Sequence, residues 1–348
     1  MAQSGVERDV AARIEGIVAR SLAGSHPARE EILLLLGLEA EGEAARLVRR
    51  RARALAMEVT AGTGRVWSAV GLDSRPCPMN CAFCSFGEQW GLVREECTWT
   101  DEEVVRTARL TVGGGASWLA LRTTEFYSLD RLCALAARVR ADVAGDYALV
   151  VNTGELDVQA ARRLLSAGVT GVYHSLRLGE GTSTRFDPEV RLATMASVRE
   201  AGLELYTMVE PLGSEHTNEE IADRLLVAHA CRAQLSGVMA RINVPGTPLG
   251  GTAPVSEARL CLVAAVSRIC AGRRVRDICA VPPTRAVLES GANTVTIEIG
   301  AIPRSEITSY RTAWNDFGLT QAGALLREAG YSCAVPEDGA VPKDGTTA

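Results

Sequence analysis

The sequence predicts an α/β fold, a (β/α)8 barrel of the TIM type with an N-terminal helical extension, on three observations. Short apolar runs begin near Val66, Trp118, Ala148, Gly171, Leu205, Gly237, Val275 and Thr294. Between them lie longer amphipathic stretches, at about 101–113, 129–142, 156–167, 187–202, 218–232, 255–272 and 282–290. Runs and stretches alternate, which implies a parallel sheet, and eight strands are the number that closes such a barrel.

The elements follow in order. Residues 7–60 read as helices, because Leu33 to Leu36 and then Ala44, Ala45, Leu47 and Val48 fall at helical spacing. Arg46, Arg49, Arg50, Arg51 and Arg53 form a basic run on that segment, which reads as a solvated helix face. Helix starts are marked by Thr100-Asp101-Glu102-Glu103, Ser128-Leu129-Asp130 and Thr217-Asn218-Glu219-Glu220. Gly168, Gly202 and Gly291 stand where helices end. The division is therefore 1–60 helical extension, 61–333 barrel and 334–348 a Pro/Gly/Asp/Thr-rich tail expected to be disordered.

Composition excludes several classes. The 348 residues are 47% hydrophobic and 23% charged, ordinary for a globular chain. A net charge of −5 leaves no nucleic-acid footprint. There is no apolar run of membrane-spanning length and no secretory leader pattern, so a cytoplasmic protein without a membrane anchor is expected. Ten cysteines in that setting serve metals rather than disulfides.

The chemistry concentrates in Arg75-Pro76-Cys77-Pro78-Met79-Asn80-Cys81-Ala82-Phe83-Cys84. The spacing CxxxCxxC supplies three thiolates, whereas a [4Fe–4S] cluster normally takes four, so one iron stays open. Zinc with a distant fourth ligand is an alternative, although no second ligand pair is visible. Buried, unrelated thiols are another. In a barrel of this kind, function gathers where the strands end, and this loop follows the first strand.

The loop resembles that of the radical S-adenosylmethionine (SAM) superfamily, and within it the chain looks like the biotin synthase-like branch from about residue 30 to 330. Further residues carrying the likeness are Asp187 to Arg191, Val198 to Gly202, Val244 to Leu249 and Ser290 to Asn293. The resemblance implies a [4Fe–4S] cluster on Cys77, Cys81 and Cys84, with the open iron chelating the amino acid part of SAM. It places Phe83 and Ile242 near the adenine and Arg191 on the SAM carboxylate, a pairing suited to a bidentate guanidinium. Thr123, Thr124 and Glu125 fall where the family holds the SAM amino group, and Ser175 and Glu180 near the ribose or amino group. The family further implies an electron donor such as flavodoxin or ferredoxin, and a homodimer is compatible with it.

One departure matters. Biotin synthase holds a second, [2Fe–2S] cluster on three Cys and one Arg; the positions here are Ala120, Val150, Tyr206 and Arg276. Alanine and valine cannot ligate iron, so that cluster is expected to be absent. The expected reaction is SAM cleavage to a 5′-deoxyadenosyl radical and hydrogen abstraction from a small polar substrate, leading to carbon-skeleton rearrangement or fragmentation. Sulfur insertion, maturation of a metal cofactor and a non-catalytic metal-binding barrel are the alternatives. Polar strand-end positions are Arg122, Asn152, His174, Arg177, Tyr206, Glu210, Arg241, Asn243, Arg276 and Glu298. Of these Arg122, Tyr206, Glu210, Arg241 and Arg276 are the substrate candidates. Cys279 is expected just past strand seven, near the mouth, where it could meet substrate or a second metal site.

Overall fold

A computed structural model describes residues 2–302 and 317–337. Three helices open the chain: α1 (Ala2–Leu22), α2 (Arg29–Leu36) and α3 (Glu43–Thr60). Next come β1 (Arg65–Gly71) and a two-rung hairpin of β2 (Asp73–Ser74) and β3 (Cys97–Thr98). The alternation then runs α4 (Asp101–Gly113), β4 (Trp118–Arg122), α5 (Leu129–Asp142), β5 (Ala148–Asn152), α6 (Val158–Ser166), β6 (Gly171–Tyr173) and α7 (Pro188–Glu200). It continues as β7 (Glu204–Tyr206), β8 (Val209–Leu212), α8 (Asn218–Ala230), β9 (Leu235–Ala240) and α9 (Glu257–Ala271). The last elements are β10 (Asp277–Val281), α10 (Arg285–Leu288), β11 (Thr294–Gly300) and α11 (Leu319–Glu328).

The ladder is parallel throughout and closes on itself: β1–β4–β5–β6–β7–β9–β10–β11 and back to β1. The fold is a (β/α)8 barrel. Its fifth position is shared, because β7 meets β9 only at Tyr206↔Leu235, and β8 resumes the pairing at Val209↔Val238 with a shifted register.

Local chemistry explains the boundaries. Thr100 accepts from the Glu103 amide at 3.3 Å while the Glu103 carboxylate takes the Thr100 amide at 2.9 Å, a reciprocal cap that Thr217 and Glu220 repeat. Two expected strand starts move: the sixth barrel strand opens at Leu235, not Gly237, and the seventh at Asp277, not Val275. Gly237, the expected start, lies inside β9. A Cβ there would stand 1.8 Å from the Cys279 carbonyl oxygen, and its φ is +144°.

The helical extension shares one apolar core with the barrel: Ile14, Ile32, Leu35, Val48 and Ala52 pack in the same cluster as Val263, Val266 and Ile269 of α9. Val335, within the tail expected from residue 334, is buried in that cluster. Residues 338–348 lie outside the described residues.

Inside the barrel the strands' period of two selects one set of side chains. At the N-terminal end these are Trp67, Trp118, Val150, Tyr206 and Leu235, all buried. The Trp67 ring lies 5.6 Å from Trp118, 5.4 Å from Tyr206 and 6.0 Å from Tyr173, an aromatic plug.

Candidate active site at the barrel mouth

The cysteine loop is fixed from both sides of the mouth. Asp73 of β2 accepts from the Thr124 amide at 2.8 Å and its hydroxyl at 2.5 Å, tying the loop's root to the end of β4. Within the loop, the Cys77 amide donates to the Phe86 carbonyl at 2.7 Å, and the Cys84 amide to that of Cys81 at 2.9 Å. Asn80, at φ +45°, donates to the Pro78 carbonyl at 2.8 Å and accepts from the Gln89 amide at 2.9 Å. Across the mouth, the Ala82 amide reaches the Ser183 carbonyl at 2.8 Å, and the Ala82 carbonyl takes the Leu249 amide at 2.9 Å.

Cys81 is buried, and Cys77 and Cys84 are half-buried. Burial pushes the Cys77 thiol up to about 11 and the Cys81 thiol up to about 12. Thiolates there need a cation to form, and a coordinating metal provides one. Among the described residues no trio of His, Cys, Asp or Glu is arranged for a single metal ion. A cubane cluster spreads its thiolates over separate irons, and three soft donors leaving one iron free fit it.

Below the loop a cavity of about 1190 Å³, counting its open mouth, runs into the barrel. Cys81, Phe83, Cys84, Ser175, Arg191 and Ile242 line its upper part, with Arg122, Glu210, Arg241 and Glu298 on the walls. Arg191, from the first turn of α7, is 2% exposed. Its Nε donates to Glu180 at 3.3 Å, its Nη1 to Glu155 at 2.9 Å, and its face lies 4.1 Å over the Phe186 ring. Its Nη2 has no hydrogen-bond partner although buried. Burial first, and Arg177 second, pull the Arg191 pKa down against Glu180, Glu155 and Glu125. Arg191 lines the cavity, and a buried guanidinium with one unused corner fits an anionic ligand group such as a carboxylate.

Three neighbours hold that guanidinium. Glu180 is fully buried; it takes the Thr184 hydroxyl at 2.6 Å and the Arg177 amide at 3.1 Å as well as Arg191. Its carboxylate is saturated, so it positions Arg191 rather than facing the cavity. Burial alone would raise the pKa of Glu155, but His174, Arg191 and Thr194 outweigh it and set the value at about 2. Burial lowers His174, whose Nε2 lies 3.2 Å from Glu155. Sequence reasoning missed Glu155; its signal was an acid in the loop just past β5.

The remaining candidates divide. Ser175 lines the cavity while accepting from the Met208 amide at 3.2 Å. Arg122 pairs with Glu298 at 2.7 Å, and Arg241 binds Glu215 and the Thr252 hydroxyl, the latter at 2.6 Å. Glu210 is buried on the opposite wall, and its charge helps raise the pKa of the buried Tyr173 phenol, after burial itself. Thr123, Thr124 and Glu125 cap β4 but do not line the cavity. Thr123 bonds Thr153 at 2.9 Å and Thr124 is committed to Asp73. Burial raises the Glu125 pKa.

Two substrate candidates are corrected. Tyr206 belongs to the plug, with its hydroxyl turned to Glu204 at the strand's start. Arg276 precedes β10 and has the opposite parity to Asp277 and Cys279, so it lies outside the barrel, donating to the Thr60 carbonyl at 3.4 Å. A one-residue offset reverses the face. Asn243 likewise does not line the cavity; it donates to the Thr252 carbonyl. Cys279, expected past the strand, is inside it and lines the cavity, 3.2 Å from the Thr296 hydroxyl.

The geometry is that of a barrel with a three-cysteine mouth loop over a charged chamber, and comparison with known proteins agrees. A biotin synthase of Methylobacterium sp. (strain 4-46) is 29% identical over 221 residues, covering 60% of this chain and 66% of that protein. One from Gluconacetobacter diazotrophicus is 27% identical over 234 residues, covering 64% and 70%. The match thus spans about two thirds of each relative's length. No family model matches. In structure, the chain superposes on methylornithine synthase with a TM-score of 0.76 at 16% identity, covering 91% of this chain and 97% of that one. HydG, a maturase of the [FeFe]-hydrogenase, gives 0.76 at 14%, covering 94% and 79%. These two likenesses show the fold. In sequence the chain is thus similar to biotin synthases, and in fold to methylornithine synthase and HydG. Among the described residues no helix is long and apolar enough to cross a membrane.

Proposed function

We propose that this protein cleaves SAM reductively and uses the resulting radical to take hydrogen from a small polar substrate, leading to carbon-skeleton rearrangement or fragmentation. The observation that carries this is the three-cysteine loop at the mouth of a charged chamber that Arg191, with its unused Nη2, also lines. Cys77, Cys81 and Cys84 would hold the cluster. Arg191 would grip the SAM carboxylate, with Phe83 and Ile242 beside the adenine and Ser175 near the ribose. When bound, the pair supplies a one-electron route to a carbon radical, with the electron coming from a flavodoxin- or ferredoxin-class donor in the cytoplasm.

The chain's own residues orient and shield. Glu180 and Glu155 hold Arg191 in one pose, and the aromatic plug closes the barrel beneath, keeping a reactive radical from water. Arg122–Glu298 and Arg241–Glu215 set fixed charges at the walls, which suits a substrate carrying charges of its own. Anaerobic reconstitution followed by assay of methionine and 5′-deoxyadenosine tests the reading; an iron-loaded protein that forms neither overturns it.

The relatives' name favours sulfur insertion as a second reading. Ala120 and Val150 stand against a biotin synthase-type donor cluster, since neither can ligate iron. Iron and sulfide analysis separates the two: about four of each per chain supports rearrangement, and a reproducible excess with a [2Fe–2S] spectrum supports insertion.

A further inference from the structure

One reactive group in the chamber has no part in the chemistry above. Cys279, on the inner face of β10, is 2% exposed and lines the same cavity as Cys81, Cys84 and Arg191. It forms no disulfide, and among the described residues no metal-binding trio includes it. That the cavity takes a ligand rests on a separate observation: Arg191, which also lines it, keeps a buried Nη2 without a partner. Burial pushes the Cys279 thiol up to about 12, so it stays protonated at neutral pH and is a poor nucleophile. A protonated thiol has a different capacity: its S–H bond is weaker than an aliphatic C–H bond, and its hydrogen exchanges with solvent. The Thr296 hydroxyl, 3.2 Å from Sγ, restricts the thiol's rotation.

We propose that Cys279 delivers a solvent-exchangeable hydrogen atom to carbon radicals held in the chamber. The inference rests on the radical SAM reading. In the step the S–H bond breaks, a C–H bond forms, and the unpaired electron passes to Sγ. One electron from the ferredoxin- or flavodoxin-class donor and one solvent proton then restore the thiol. The residue therefore closes a radical sequence rather than opening it.

The test needs no knowledge of the substrate. Reconstituted protein is given SAM alone in D2O, with titanium(III) citrate as reductant and no added thiol, so that the chamber radical is the 5′-deoxyadenosyl radical. Mass spectrometry should find deuterium in the 5′-deoxyadenosine of the parent. In Cys279→Ala and Cys279→Ser the label should fall to background while methionine release continues. Serine keeps a hydroxyl beside Thr296, but its O–H bond is too strong to donate, so the two variants agree if hydrogen transfer is the role. Unlabelled product from the parent, or label persisting in both variants, overturns the proposal. Methionine reports the underlying reading separately, and its absence from the parent sinks both. A second readout uses protein without cluster or SAM. Iodoacetamide at alkaline pH should mark Cys279 ahead of Cys261, which packs in the helical layer away from the cavity; the reverse order overturns the placement.

Discussion

The two ends of one barrel interior contrast. The N-terminal end is a stopper of Trp67, Trp118, Val150, Tyr206 and Leu235, and the C-terminal end is a hollow ringed by Arg122, His174, Arg177, Glu210, Arg241 and Glu298. The same strands build both, with the same parity: Trp118, Ala120 and Arg122 are successive inward residues of β4. What differs is only distance along the strand. Stability is thus concentrated at one end and chemistry at the other, and substitutions at the two ends should have separable effects.

The largest expected effect is at the mouth. Cys81→Ala should abolish SAM cleavage and cluster loading while leaving thermal unfolding of the apo-protein nearly unchanged; a variant retaining full cleavage would break the assignment. The plug should behave oppositely. Trp118→Ala empties a buried aromatic site and should cost about 3–5 kcal/mol in chemical denaturation, yet the folded fraction should bind SAM as the parent does. A loss of SAM affinity larger than the loss of folded protein would blur the two ends.

Arg191→Ala comes next. A charge-assisted bidentate contact contributes roughly 1.5–3 kcal/mol, so SAM affinity, read by calorimetry, should fall about tenfold to a hundredfold. Unchanged affinity would place Arg191 outside the site. Its support is testable through pH. The folded-state pKa of Glu155 lies at about 2, below the ordinary 4.5. Its contribution is therefore fully present above 4.5 and is lost as pH falls from there towards about 2. Denaturation curves of the parent and Glu155→Gln should converge across that window, and a constant gap would contradict the network. The smallest effect is expected from Arg276→Ala, which removes one long contact on the barrel's outer face. SAM cleavage should be unaltered, whereas Arg241→Ala should keep slow cleavage and lose coupling to substrate.

Much of this was legible in the sequence because the signals are local. A reciprocal cap such as Thr100–Glu103 is written in four consecutive residues, and the cysteine spacing in eight. What escaped depends on register and distance. Arg276 and Cys279 differ by three positions, and only the ladder Asp277↔Leu235 and Cys279↔Gly237 shows which faces inward. Tyr206 reads as a strand-end position, but the fifth strand breaks into β7 and β8, and the tyrosine lies at the lower level. Glu155 escaped because its partners, Arg191 and His174, are distant in sequence and meet it only when the barrel closes.

The aromatic stopper also governs traffic. A vessel sealed at its base fills and empties through one neck, and here the neck is the opening that the cysteine loop overhangs. If SAM binds under the cysteine loop as proposed, a small molecule bound for the floor beside Cys279 and Thr296 would have to pass before it. The shape of the barrel would then favour substrate entering first and leaving last.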